Sequence, residues 1–382
     1  FVQSDSNGIP IRRIFASVVH QQGNQTIHLI SGTFESDSLL DGSLQDLSVR
    51  LDRDTKSFHG FGYGFAEVKF FGYVVNVLFI EPGQSVTMTP TGVEHPEGEE
   101  LGYYWTVSPV MDDLDTTRFE NGLNRYDEES DGSFTFKFPD SLGVYTVRAY
   151  AFAEGYIGKS GERLVTTVKP GLNGSLTNTD IKSTDAHIKF EGQDYYYIGI
   201  GDLEWFRNNL ATTTGGAPYS NAEIMTNVLG RFYNYEDALA ACPEGWRLPT
   251  EENWLALGAA LGSTAEKYGT IKGIAPKLMV DSQFNGITMW DYWPAVGTLT
   301  NSSKFSAVPA GYMNLGEEID GAYPEANSYG VYEYAAFWTA DSVDDDDEMA
   351  YYRYIVGSEP DLFITKGDKK NFGANVRCVR NK

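Results

Sequence analysis

Cys242-Pro243-Glu244-Gly245-Trp246-Arg247-Leu248-Pro249-Thr250-Glu251-Glu252-Asn253-Trp254 holds one of two cysteines in a chain of 382 residues. The other, Cys378, stands in Asn375-Val376-Arg377-Cys378-Val379-Arg380 near the C-terminal end. One cysteine lies beside a helix start and the other in a short strand-like ending, so a single disulfide is expected to pin the end of a domain to its middle. It would close a loop of 136 residues (378 − 242) and stabilise the fold by ~5 kcal/mol, a gain that persists only in an oxidising compartment. Two buried free thiols or a metal pair are the alternatives, although no Cys-x-x-Cys half-site for zinc is present.

Around this stretch the pattern predicts two short helices. Asn234 can cap the first, Glu236 and Asp237 suit its positive end, and Pro243 stops it. Thr250 can cap the second, Glu251 and Glu252 fill its first turn, and Trp254, Leu257 and Leu261 share one face before Gly262. Elsewhere glycines punctuate short β-type runs. The expected fold class is mainly β and α+β.

A net charge of −24 argues against nucleic acid or an anionic membrane as partner. No apolar run approaches the roughly 20 residues that a transmembrane helix needs. A chain beginning at Phe1 without an initiator Met is read as trimmed after export and as lipid-anchored before trimming.

Four regions are expected. Residues 1–75 alternate apolar and polar residues over short β-type spans. In 76–170 a Tyr103-Tyr104-Trp105 strand and a later Gly143-Val144-Tyr145-Thr146-Val147 strand resemble the immunoglobulin-like PKD modules of bacterial surface proteins, which implies a β-sandwich spacer. Residues 171–179, rich in Gly, Asn, Ser and Thr, read as a linker, and 180–382 as the last domain.

That last region carries six ordered motifs: Tyr196 to Leu210, Gly230 to Tyr235, Cys242 to Trp254, Phe305 to Tyr312, Phe337 to Ala340, and Val376 to Arg380. Together they resemble the Fibrobacter succinogenes major paralogous domain, a family of exported proteins of Bacteroidota and their relatives. The family is similar to the C-type-lectin-like fold shared with formylglycine-generating enzymes. The resemblance implies a twisted β core, two flanking helices, and a disulfide from the first helix to the last strand. Three departures stand out: Phe206 replaces Met after Trp205, Asn253 replaces an acid before Trp254, and the acidic stretch 312–331 is expected to be a long surface loop.

For most motif residues a structural role is expected. Trp205, Trp246, Trp254 and Trp338 read as core fillers, and Arg247 and Glu251 as structural hydrogen-bonders. His187 is the only histidine in 180–382, so no Ser-His-Asp or Cys-His site assembles there and no catalytic residue is assigned. Trp290, Tyr292 and Trp293 are candidates for an exposed aromatic platform that stacks on a sugar or a partner. Asp341, Asp344, Asp345, Asp346, Asp347 and Glu348 are candidate calcium ligands, without EF-hand spacing, against a solvated acidic loop. No other cofactor is expected.

The leading expectation is a non-enzymatic protein of the bacterial outer surface, with β spacers presenting a lectin-like domain to a protein or glycan ligand. A carbohydrate-binding component of a glycan-uptake system is the first rival. An enzyme related to the formylglycine-generating fold is the second.

Overall fold

The computed structural model describes residues 2–4, 10–14, 20–22, 25–27, 32–34, 69–70, 73–74, 77–98, 100–108, 132–153, 159–213, 215–290 and 297–382. Two compact units make up the chain, Phe1–Val77 and Leu78–Lys382. In the first, Val2–Ser4, Pro10–Ile14 and Gly32–Phe34 form an antiparallel sheet, and His20–Gln22 pairs with Gln25–Ile27. The chain is mainly β, as expected. No helix among the described residues is long and apolar enough to cross a membrane.

At the start of the second unit the strands Gly102–Ser108, Val144–Phe152, Lys159–Thr167 and Val77–Ile80 form one sheet in that order. A two-stranded sheet, Ser85–Met88 with Phe134–Lys137, covers it. Trp105 is the centre of the core between them. Its ring meets Phe136 edge-on at 5.6 Å, and its indole N–H donates to Gly132 O at 2.9 Å, so burial leaves the polar end satisfied.

The expected linker is a packed strap. Leu176 is buried and pairs with Phe284, Asn173 N–H donates to Asn227 O at 2.6 Å, and Lys169 N–H donates to Ser175 Oγ at 2.7 Å. The composition that reads as turn-rich is present, but Leu176 supplies an apolar anchor.

Beyond the strap, His187–Phe190, Gln193–Ile200, Leu203–Phe206 and Val379–Asn381 form an antiparallel sheet, so the start and the end of this region pair directly. Both expected helices form. Tyr235–Ala240 is capped by Asn234, whose Oδ1 accepts from Asp237 N–H at 2.7 Å. Glu251–Ala260 begins with a capping box in which Thr250 Oγ1 accepts from Asn253 N–H and Asn253 Oδ1 from Thr250 N–H. The departure at 253 thus keeps a capping function. At the other end Gly262, at φ +87°, lets Gly262 N–H reach Ala259 O and Ser263 N–H reach Gly258 O, which closes a Schellman motif. Gly258 sits mid-helix because a Cβ there would lie 2.7 Å from the Ile271 side chain.

The helix Glu251–Ala260 packs on one face of a second antiparallel sheet, Tyr334–Val343, Asp346–Val356 and Leu362–Asp368. Strand alternation splits this sheet into two surfaces. Ala335, Phe337, Ile355 and Leu362 join Trp205, Trp254 and Phe305 in one core. Ala336, Trp338 and Ala350 join Tyr195, Phe206, Trp246 and Cys378 in the other. Cys242 and Cys378 form the expected disulfide, with Cα atoms 5.8 Å apart. The stretch 312–331 is a hairpin rather than an open loop, because Tyr312–Asn314 pairs with Asn327–Tyr329 and, on its other side, with Phe372–Gly373.

Candidate functional site

Register decides which aromatic rings meet on the second surface of the three-stranded sheet. Trp338 lies opposite Tyr352, Ala336 opposite Tyr354, and Tyr354 opposite Phe363, so all of these side chains share a face. The hairpin covers only part of it. Tyr312 stacks on Tyr329 at 5.7 Å and on Phe372 at 5.6 Å, and Phe372 stacks on Tyr352 at 4.3 Å. From Tyr352 the row continues to Tyr354 at 5.8 Å and to Phe363 at 5.3 Å. The result is a continuous aromatic ridge of half-buried rings that ends in Tyr329, which is 44% exposed.

The tyrosines along the ridge interact electrically. Burial pushes the Tyr352 hydroxyl well above the usual phenol range, and the neighbouring hydroxyls of Tyr354, Tyr312 and Tyr334 push it further. Burial also raises Tyr334. Tyr352 and Tyr334 therefore stay neutral in ordinary conditions, able to donate and accept hydrogen bonds.

Beside the ridge lies a polar cleft of about 660 Å³ between the first helix, the hairpin and the turn before Phe372. Asn314, Asn371, Glu236, Glu317 and Lys370 line it. At its floor Asn234 Nδ2 donates to the Tyr323 hydroxyl at 2.7 Å, which donates to Glu318 Oε2 at 3.1 Å. Lys369 is committed elsewhere: its Nζ donates to Asp347 O at 2.8 Å and lies 5.4 Å from the centre of the Tyr235 ring.

Three buried arginines fix the scaffold under these surfaces. Among the described residues Arg377 has no carboxylate partner. Its Nε donates to Asn209 Oδ1 at 2.6 Å and its terminal nitrogens to the carbonyl oxygens of Phe206, Phe305 and Ser306. Burial, reinforced by the nearby Arg207, pushes its guanidinium down to about 9, so it remains charged at neutral pH. Arg207 donates to Asp185 Oδ2 at 2.7 Å and Lys304 O at 2.8 Å. Arg353 forms a bidentate pair with Glu251, both side chains fully buried, and also donates to Gly269 O at 2.8 Å. Burial raises the Glu251 carboxyl and lowers the Arg353 guanidinium, each opposed by the other's charge.

Residues 198–380 match the model of one family, described as the Fibrobacter succinogenes major domain. The chain carries a Fibrobacter succinogenes major domain. No curated protein and no solved structure matches the chain. Within the major domain the four motif tryptophans are core residues, as expected: Trp205 and Trp254 lie 4.8 Å apart with both rings fully buried, and the Trp338 indole donates to Tyr233 O at 2.7 Å. Among the described residues the indole N–H groups of Trp205 and Trp254 have no acceptor, an arrangement that costs ~1–3 kcal/mol each and that ring packing offsets.

Trp290 is not an exposed platform: it is buried at 2% exposure, and its indole donates to Ala307 O at 3.1 Å. Tyr292 and Trp293 lie outside the described residues. Asp341 is drawn to the start of the second helix, where its Oδ2 accepts from Glu251 N–H at 2.7 Å. Asp344 and Asp345 form the turn between Tyr334–Val343 and Asp346–Val356, and Asp346, Asp347 and Glu348 open the second of these strands, all five exposed. Among the described residues no group of three or more His, Cys, Asp or Glu side chains is placed to hold a metal ion. His187 is exposed, its Nδ1 3.0 Å from Asp185 O. Sequence reasoning did not find the ridge, although Tyr351-Tyr352-Arg353-Tyr354 and Tyr312 carried a signal in their density of tyrosine.

Proposed function

We propose that this chain is an exported bacterial surface protein that binds a partner without catalysis, residues 76–170 serving as an immunoglobulin-like spacer and the major domain as a C-type-lectin-like head. The aromatic ridge carries this reading. Its rings are held against one another by a stapled scaffold, so little side-chain entropy is lost when a partner covers them. The disulfide suits an extracellular setting. The test is a screen of the full chain against immobilised glycans and peptides, with turnover assays on each ligand bound. Binding that Tyr312→Ala weakens, with the ligand recovered intact, is expected. Product released in molar excess over the protein would overturn the reading.

A second reading, glycan recognition, rests on the polar cleft. The amides of Asn314 and Asn371 beside Glu317 and Lys370 suit a polyhydroxylated ligand. Glycan binding abolished by Asn314→Ala or Asn371→Ala, and unchanged by Tyr329→Ala, would favour it over the ridge.

A further inference from the structure

The ridge is built in a way that selects among partner chemistries. A sugar platform needs an open ring face. Here the inner rings have their faces taken by neighbours: the planes of Tyr312 and Tyr329 lie within 22° of parallel, Tyr312 and Phe372 within 29°, and Tyr352 and Phe372 within 28°. What such a row turns outward is ring edges and hydroxyl groups, the amphipathic surface that suits protein contacts.

The hairpin that borders it is charged with one sign. From Tyr312 to Tyr334 the chain carries Glu317, Glu318, Asp320, Glu325 and Glu333 and no Lys or Arg, within a molecule of net charge −24. The same hairpin bears two of the three large apolar side chains that stand exposed among the described residues, Ile319 at 53% and Tyr329 at 44%. Apolar contact and negative potential therefore coincide on one element, and a like-charged partner would be repelled.

Resting on the reading of the ridge as the binding face, the geometry points to a cationic, amphipathic protein segment as its partner, one that sets apolar side chains on the rings and Lys or Arg against the hairpin carboxylates. The acids steer the approach and set the salt dependence, while the preformed rings supply the contact area.

The test uses the full, disulfide-bonded chain and two labelled synthetic peptides, one alternating arginine with leucine and one alternating glutamate with leucine, read by fluorescence anisotropy at low and high salt. The basic peptide is expected to bind and the acidic one not. Tyr329→Ala and Tyr354→Ala should each weaken binding about tenfold, the size of a moderate hot-spot residue. Replacing Glu317, Glu318 and Glu325 together by Gln should weaken it and flatten its salt dependence. A charge-matched control, Glu94, Glu97 and Glu100 to Gln in the sandwich, should leave it unchanged.

Equal losses in the control and hairpin variants would mean attraction to net charge alone and would overturn the inference, as would failure of the basic peptide to bind or equal binding of the acidic one. Glycan binding that depends on Tyr329 and Tyr354, without basic-peptide binding, would remove the cationic partner and leave the ridge as a binding face. Ridge variants that alter no binding in either assay would remove both.

Discussion

Breaking the buried Glu251–Arg353 pair should be costly, and its two halves should fail differently with pH. Both side chains are fully buried, and each also serves a backbone group: Glu251 Oε1 accepts from Tyr268 N–H at 3.1 Å, and Arg353 donates to Gly269 O. Glu251→Gln leaves a guanidinium with no compensating charge and no accessible proton to lose, so a destabilisation of ~3–5 kcal/mol is expected at every pH from 4 to 8. Arg353→Met leaves a buried carboxylate that can take up a proton. Desolvation already pushes Glu251 upward from 4.5, and without Arg353 nothing of comparable strength opposes it. A folded-state value raised above the unfolded one means stability present below the unfolded value and lost as pH rises through the folded one. The cost of Arg353→Met should therefore shrink toward pH 4 and grow toward pH 8. The double variant should cost less than the two singles summed, by ~3 kcal/mol at pH 7. Denaturant unfolding followed by tryptophan fluorescence reads all three, since Trp254 lies on the same helix as Glu251. Additive single costs, or an Arg353→Met cost that does not change with pH, would refute the argument.

Replacing Cys242 and Cys378 by Ser should lower the stability of the major domain by up to ~5 kcal/mol, read as a fall in Tm that the sandwich transition does not share; an unchanged Tm would contradict it. Asp185 is held below its ordinary 3.8 first by the Lys182 N–H and then by Arg207, so its stabilising contribution is complete above that value and drains away as pH falls through the depressed one. Carboxyl NMR should show Asp185 titrating below 3.8, and Arg207→Met should move the midpoint upward. A fragment spanning 180–382 should be less stable than one spanning 169–382 by ~2 kcal/mol, the burial of Leu176, and equal melting would show that the strap contributes nothing.

The sequence alone determined what depends on neighbours in the chain. Asn234 and Thr250 cap helices because a short side-chain oxygen reaches an amide three residues on, and no tertiary contact is needed to see it. The disulfide and the core tryptophans were legible for a related reason: two cysteines admit one pairing, and large aromatics at fixed motif positions have few places but a core. The tertiary structure decided whatever depends on partners far along the chain. Glu251 meets Arg353 across 102 residues, and Trp290 is buried because Ala307 O lies within reach of its indole, which nothing in Met289-Trp290-Asp291 announces. The ridge gathers Tyr312, Tyr329, Tyr352, Tyr354, Phe363 and Phe372 from five strands, and a slip of one residue in any pairing would turn its ring to the opposite face. Register, set by packing over the whole domain, is the physical quantity that local sequence does not encode.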